Sequence, residues 1–221
     1  MMFSRDNRTL WDDTKLGIIF GFLGGFSNAV SIAILMFEIA PMSANWGGMA
    51  KEIGNLDYGE MFSYLPLIVC FISGAYIGVR WVKKYSPASL IITEAALFTS
   101  IAFLSRNNVI LAVAIGGLAT GMQNGMTSYL SHHAVRTSHL TSTITDIGIT
   151  LARAEYKKTL VLGSKTMAYI CGAIIGVVQA KLAGNFAFVL GGAYLIVFIV
   201  LRSLSVNHNF TLPLQRYLHN E

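Results

Sequence analysis

The sequence predicts an all-α integral membrane protein: six transmembrane helices forming two inverted three-helix repeats, with short re-entrant or interfacial helices after helices 1 and 4. Three observations support this: charge is scarce, apolar stretches are long, and the two halves repeat one another. Of the 221 residues, 54% are hydrophobic and 12% charged, where a soluble domain carries about 25% charged residues. Lipid is the solvent that such a chain fits.

A helix crosses the hydrocarbon core with roughly 17–25 apolar residues, and six stretches qualify: 16–39, 62–82, 88–104, 109–130, 159–180 and 185–204. The first follows a polar start with Arg5, Arg8 and Lys15, as a signal peptide does. Its 24 residues are not followed by a small-residue cleavage site, so it reads as helix 1. Nothing between the stretches is long enough for a soluble domain, and residues 1–221 form one membrane domain.

The formal charge of +5 is dispersed over several loops, which argues against a nucleic-acid face and for topology. Alternate connections hold Arg5, Arg8 and Lys15; Arg80, Lys83 and Lys84; Arg136, Arg153, Lys157 and Lys158; and Arg202 and Arg216. The opposite connections hold Lys51, Arg106 and Lys181. Twelve against three places both termini in the cytoplasm by the positive-inside rule, with 40–61 outside and 131–158 inside. Cys70 and Cys171 fall inside predicted helices and read as small apolar residues.

The repeat is visible in Phe71-Ile72-Ser73-Gly74-Ala75-Tyr76-Ile77-Gly78-Val79, which reads almost like Tyr169-Ile170-Cys171-Gly172-Ala173-Ile174-Ile175-Gly176-Val177, at an offset of 98. At an offset of 96, Gly21, Gly25, Asn28 and Ala29 fall on Gly117, Gly121, Asn124 and Gly125. Repeat one is therefore 16–104 and repeat two 109–204. Each contains three crossings, and an odd number forces the second copy to enter from the opposite face. Inverted repeats recur in secondary transporters, whose sites lie where corresponding broken or short helices of the two halves meet. The glycines recurring every fourth residue read first as packing surfaces that let helix backbones approach closely.

Two polar segments follow helices 1 and 4: Ala40-Pro41-Met42-Ser43-Ala44-Asn45-Trp46-Gly47-Gly48 and Arg136-Thr137-Ser138-His139-Leu140-Thr141-Ser142-Thr143. Each leads into a short helical stretch, with Ser and Thr available as N-caps. If those stretches dip into the membrane, their N-termini favour an anionic or strongly polar ligand. If they lie flat, Trp46, Met49, Ala50 and Ile53, and Leu140, Ile144, Ile147 and Leu151, are spaced as apolar faces of interfacial helices.

Polar groups within spans must be paired or face a cavity. Ser27, Asn28 and Ser31 of helix 1 mirror Gln123, Asn124 and Thr127 of helix 4. The substrate-binding candidates are Asn28, Asn45, Gln123, Asn124, Thr141 and Thr143. Glu94 and Lys165 are the plainly intramembrane charges, without charged repeat equivalents, and read as an ion pair or as coupling residues. His132, His133, His139 and Asp146 form no metalloenzyme motif and read as an exposed cytoplasmic cluster. Neither catalysis, a cofactor nor a metal is expected.

Gly121-Met122-Gln123-Asn124, Arg136-Thr137-Ser138-His139-Leu140-Thr141 and Gly172-Ala173-Ile174-Ile175-Gly176 together resemble the YoaK-like family of small bacterial inner-membrane proteins, a family of unknown function. The resemblance covers nearly the whole chain. The family's Met-Thr-Gly-Asn element reads Met42-Ser43-Ala44-Asn45 here, and its Arg-Thr-Thr-x-x-Thr-Gly element ends Thr141-Ser142. The resemblance implies a multi-pass protein of the bacterial inner membrane and supplies no substrate. The leading expectation is a small transporter or facilitator of a polar or anionic solute. A passive channel and a non-transport scaffold or complex subunit are the alternatives. The expected partners are the lipid bilayer and that solute, with a homodimer left open.

Overall fold

A computed structural model describes residues 10–132, 135–136 and 140–205, with side chains from 11 to 201. The described residues are helical and turn-connected: α1 (Leu10–Leu35), α2 (Met42–Gly54), α3 (Tyr58–Lys84), α4 (Pro87–Leu104), α5 (Val109–Leu130), α6 (Leu140–Ala152), α7 (Tyr156–Ala183) and α8 (Ala187–Ser205), with a 3-10 turn, Gly184–Phe186, between the last two. Five segments are long and apolar enough to cross a bilayer: Trp11–Leu35, Tyr58–Lys84, Pro87–Leu104, Val109–Leu130 and the 46-residue run Tyr156–Leu201. These fit a multi-pass membrane protein. The fifth segment merges the last two predicted stretches, because only Gly184, with φ +55°, and its 3-10 turn separate α7 from α8.

Local chemistry sets several helix starts. Asp57 accepts from the Glu60 N–H at 3.0 Å, Ser86 from Ser89 N–H at 3.2 Å ahead of Pro87, and Asn108 from Leu111 N–H at 2.9 Å. Each side chain satisfies a backbone donor that the helix leaves open. At α2 the expectation of a Ser or Thr cap fails: the cap position is Pro41, which makes no side-chain cap bond, and Ser43 lies inside the helix. The apolar stretch 16–39 predicts a helix to residue 39, yet α1 ends at Leu35. Met36 takes φ +62°, and the chain stays non-helical until α2.

Two parallel helix pairs form the centre. Along α1 and α7, a Cβ at Gly25 would fall on the Tyr169 carbonyl, and one at Gly172 on the Phe22 carbonyl. Along α3 and α5, a Cβ at Gly121 would fall on the Phe71 carbonyl, and one at Gly74 on that of Leu118. The register rises together on both partners, so each pair runs parallel with backbones in direct contact, the role that small residues play between helices in lipid. The two sets of contacts correspond residue by residue at the 96 and 98 offsets. α8 lies against α4, where Gly192 leaves room for the Ala95 carbonyl and the Thr99 hydroxyl. Phe26 and Tyr194 pack edge to face at 5.3 Å, and Phe20 and Phe198 at 5.9 Å.

The outer faces are apolar. Val69, Ile72 and Tyr76 on α3, and Ile170, Ile174 and Val178 on α7, are exposed along one stripe each. Such stripes suit contact with a lipid bilayer.

α2 and α6 end alike. Leu56 N–H donates to Ile53 O and Asp57 N–H to Glu52 O; 98 residues on, Ala154 N–H donates to Leu151 O and Glu155 N–H to Thr150 O. Leu56 (φ +59°) and Ala154 (φ +54°) occupy the left-handed position. This is the Schellman arrangement, which satisfies the last helix carbonyls and reverses the chain. It folds α2 back onto α3, where Gly48 meets the Tyr64 ring, and α6 back onto α7, where Thr159 donates to the Thr150 hydroxyl at 2.8 Å.

Candidate functional site

The non-helical stretch 36–41 explains many of the polar residues in the spans. Its Ile39 and Ala40 are buried, so its backbone groups need partners from the protein. Ser31 donates to Phe37 O at 2.8 Å, Thr120 of α5 to Ile39 O at 2.7 Å, and Asn28 accepts from Ala40 N–H at 3.3 Å. Asn45 Nδ2 donates to Glu38 O at 2.6 Å and Pro41 O at 3.3 Å. Asn28 and Asn45 are thus brought to the same segment, where both brace backbone. Tyr169 of α7 lies beside Asn28. Neither Tyr169 nor Thr120 stood out in the sequence, because a long-range bond to a backbone carbonyl leaves no local pattern.

The second cluster joins α6 to α7. Lys165, 3% exposed, donates from Nζ to the Thr143 hydroxyl at 2.8 Å, and Thr143 is itself buried. Asp146, one turn along α6, and Arg136 both act on the Lys165 charge. The ammonium therefore sits beside the first turn of α6, a helix end that carries partial positive charge. Thr143 is the 98-offset counterpart of Asn45, and Lys165 of Leu67, so the two halves share a buried polar position but differ in its partner. Thr141 is exposed on the same first turn, its carbonyl accepting from the Thr145 hydroxyl at 3.2 Å. His132 and Asp146 are exposed. His133 and His139 lie outside the described residues.

A third cluster lies between α4 and α5. Glu94 is fully buried, and Gln123 of α5 is 1% exposed and lies within interaction range of its carboxyl. Neither Glu94 oxygen closes a hydrogen bond, nor does Gln123 Nε2. Asn124, 8% exposed, follows on α5 and is engaged in a polar interaction of its own. The expected alternative of an ion pair between Glu94 and Lys165 is corrected: Lys165 is bonded to Thr143, while Glu94 has no hydrogen-bonded partner. The two charges stand on helices that carry them to different neighbours.

Among the described residues no group of histidine, cysteine or acidic side chains is arranged to hold a metal ion. No curated protein and no solved structure matches the chain. A family model does match, over residues 16–201, from the start of the first predicted span to the end of α8 that carries described side chains. The chain belongs to the DUF1275 family of proteins of unknown function, in keeping with the resemblance drawn from its motifs.

Proposed function

We propose that the protein is a small secondary transporter or facilitator of a polar or anionic solute, built from two three-helix repeats inserted in opposite senses, with α7 and α8 each crossing the bilayer to make six spans. The observation that carries this reading is the pair of half-helix hairpins. α2 and α6 are 13 residues each, about 20 Å, too short for a hydrocarbon core of about 30 Å. Each packs antiparallel on a long apolar helix, and each buries a polar residue at its fourth position, Asn45 or Thr143. Half-helices whose N-termini meet near the middle of the bilayer are how inverted-repeat transporters hold a substrate.

The opposite sense of the repeats is supported by α1 and α5. α5 runs parallel to α3, the next long helix after its equivalent α1, and the segment leaving α1 reaches the middle of α5 at Gly116 and Thr120. A solute site on this reading uses Asn124 of α5 and Thr143 with Lys165 at the α6 N-terminus, while the expected Gln123, one residue before Asn124, is turned to Glu94 of α4. The cationic Lys165, whose hydrogen bond among the described residues is to a neutral hydroxyl, with Asp146 acting on it from α6, favours a solute bearing negative charge. Asn28 and Asn45 border the site from the other half, and Thr141 sits at its solvent edge.

The test is uptake by proteoliposomes of a radiolabelled panel of inorganic anions, small carboxylates and neutral polyols. At least one should enter faster than into empty vesicles, and Asn124→Leu should abolish that entry while the protein still inserts and purifies. Uptake of none, or uptake untouched by Asn124→Leu, contradicts the reading.

A further inference from the structure

The three unsatisfied atoms between α4 and α5 are the one place among the described span residues where both a carboxyl and an amide are buried without hydrogen bonds. From this we infer that Glu94 and Gln123 form a proton-binding site, occupied once per chain, that couples the transport proposed above to protons. The inference rests on that transport reading for the coupling, and on geometry alone for the site.

An isolated carboxylate is expensive inside a membrane protein and persists where it pairs, faces water or carries a proton. Glu94 is 0% exposed, and among the described side chains of the elements packed on α4 none is a cation acting on it; Arg202 of α8 lies outside the described side chains. α5 carries no Asp, Glu, Lys, Arg or His, and its Tyr129 lies under Lys83 at 5.4 Å. The charged residues of α3, Glu60, Arg80, Lys83 and Lys84, belong to its two ends. The 3-10 turn Gly184–Phe186 has none, and Tyr194 of α8 is engaged by Gln179 and the rings of Phe22 and Phe26. Lys165 is committed to Thr143. Gln123 is the group that acts on the carboxyl.

Donor and acceptor counts select the proton. An ionised carboxylate only accepts, so one amide N–H leaves its second oxygen unanswered. A carboxylic acid paired with a primary amide closes a ring of two hydrogen bonds. The Glu94 O–H donates to Gln123 Oε1, and Gln123 Nε2–H donates to the other Glu94 oxygen. One added proton, with a small side-chain rotation, satisfies all three orphaned atoms. Loading takes a proton from water and forms one O–H bond, and unloading returns it. A metal cation would need a shell of further oxygens, which the apolar neighbours Ile91, Ala95 and Phe98 do not offer.

Depth and symmetry fit the same role. Glu94 lies seven residues from the start of α4 and Gln123 seven from the end of α5, each about 10 Å inside its helix, so the two meet at one level. The repeat counterpart of Glu94 is Gly192, whose backbone is pressed against α4 at Ala95 and Thr99. The counterpart of Gln123 is Ser27, bonded to Leu23 O at 2.8 Å. The other half has neither the acid nor the room for one.

Infrared spectroscopy of the full chain in lipid reads the site without a solute. A carboxylic-acid C=O band should be present in the wild type, vanish in the near-isosteric Glu94→Gln, and shift to higher frequency in Gln123→Leu, where the acid loses its partner. Should either variant fail to fold, dicyclohexylcarbodiimide gives a wild-type readout, since the carboxyl O–H adds across its C=N bond only when protonated. Mass spectrometry should then find the adduct on Glu94. No acid band assignable to Glu94 and no adduct overturns the site, as does a band that responds to sodium at fixed pH. For coupling, an imposed pH gradient should accelerate uptake of any carried member of the panel in the wild type and have no effect in Glu94→Gln. Equal acceleration in both overturns the coupling and leaves transport standing. An intact proton site with no solute carried refutes the transport reading and the coupling with it, and the site remains.

Discussion

A single methyl group placed on Gly25 or Gly121 would land on a carbonyl oxygen of the neighbouring helix. These glycines fix how closely the parallel pairs approach, and a substitution there cannot be absorbed by a side-chain rotation because the obstacle is backbone. Gly121→Ala and Gly172→Ala should each destabilise by about 1–3 kcal/mol, the usual range for overpacking a filled interior, read as a lower melting temperature in detergent. Gly148→Ala on the open face of α6, with no atom within 4 Å, should instead be neutral or gain up to about 1 kcal/mol of helix propensity. Equal effects at all three sites would refute the close-contact account. The sequence made these glycines legible through their four-residue spacing. It could not show which helix each one faces, and of the ion-pair and coupling readings it offers for Glu94 and Lys165 the structure sets the ion pair aside, with Lys165 bonded to Thr143 and both Glu94 oxygens without a hydrogen bond beside Gln123.

At the scale of the element, the membrane-length apolar stretches were legible because length and hydropathy survive any tertiary arrangement, although the expected 159–180 and 185–204 merge so that five such segments stand where six were expected. The breaks were less so. The stretch 36–41 contains Phe37, Ile39 and Ala40, so hydropathy runs on through it, while its backbone is satisfied by side chains from α1, α2 and α5. The reversals after α2 and α6 hide for another reason: a Schellman turn favours glycine at its left-handed position, and here Leu56 and Ala154 stand there. A non-glycine residue in that conformation costs about 1–2 kcal/mol. Leu56→Gly and Ala154→Gly should therefore each raise the melting temperature, with the same sign at both sites, and a loss at either would contradict the shared turn geometry. The α6–α7 contact can be probed in the same way. Thr143→Val strips the hydrogen bond from a buried ammonium and should cost about 1–3 kcal/mol, whereas Lys165→Leu removes the charge and should cost less. The reverse order of the two melting temperatures would mean that Lys165 relies on a different partner.

For the whole molecule, the paired turns, paired half-helices and paired glycine contacts fall at constant offsets of 96 and 98, and the proposed transport stands on those two halves entering the membrane from opposite sides. The Schellman turns at Asp57 and Glu155 are equivalent points of the two halves, Asp57 exposed and Glu155 partly exposed beside the exposed Ala154. A chain with Cys70 and Cys171 replaced by alanine and a single cysteine at position 57 or 155 reports the side of each turn directly, through a membrane-impermeant maleimide applied to intact cells. Cysteine at 57 should label in intact cells, and cysteine at 155 only after the membrane is opened. Labelling of both turns from the same side would contradict the inversion and the transport mechanism built on it.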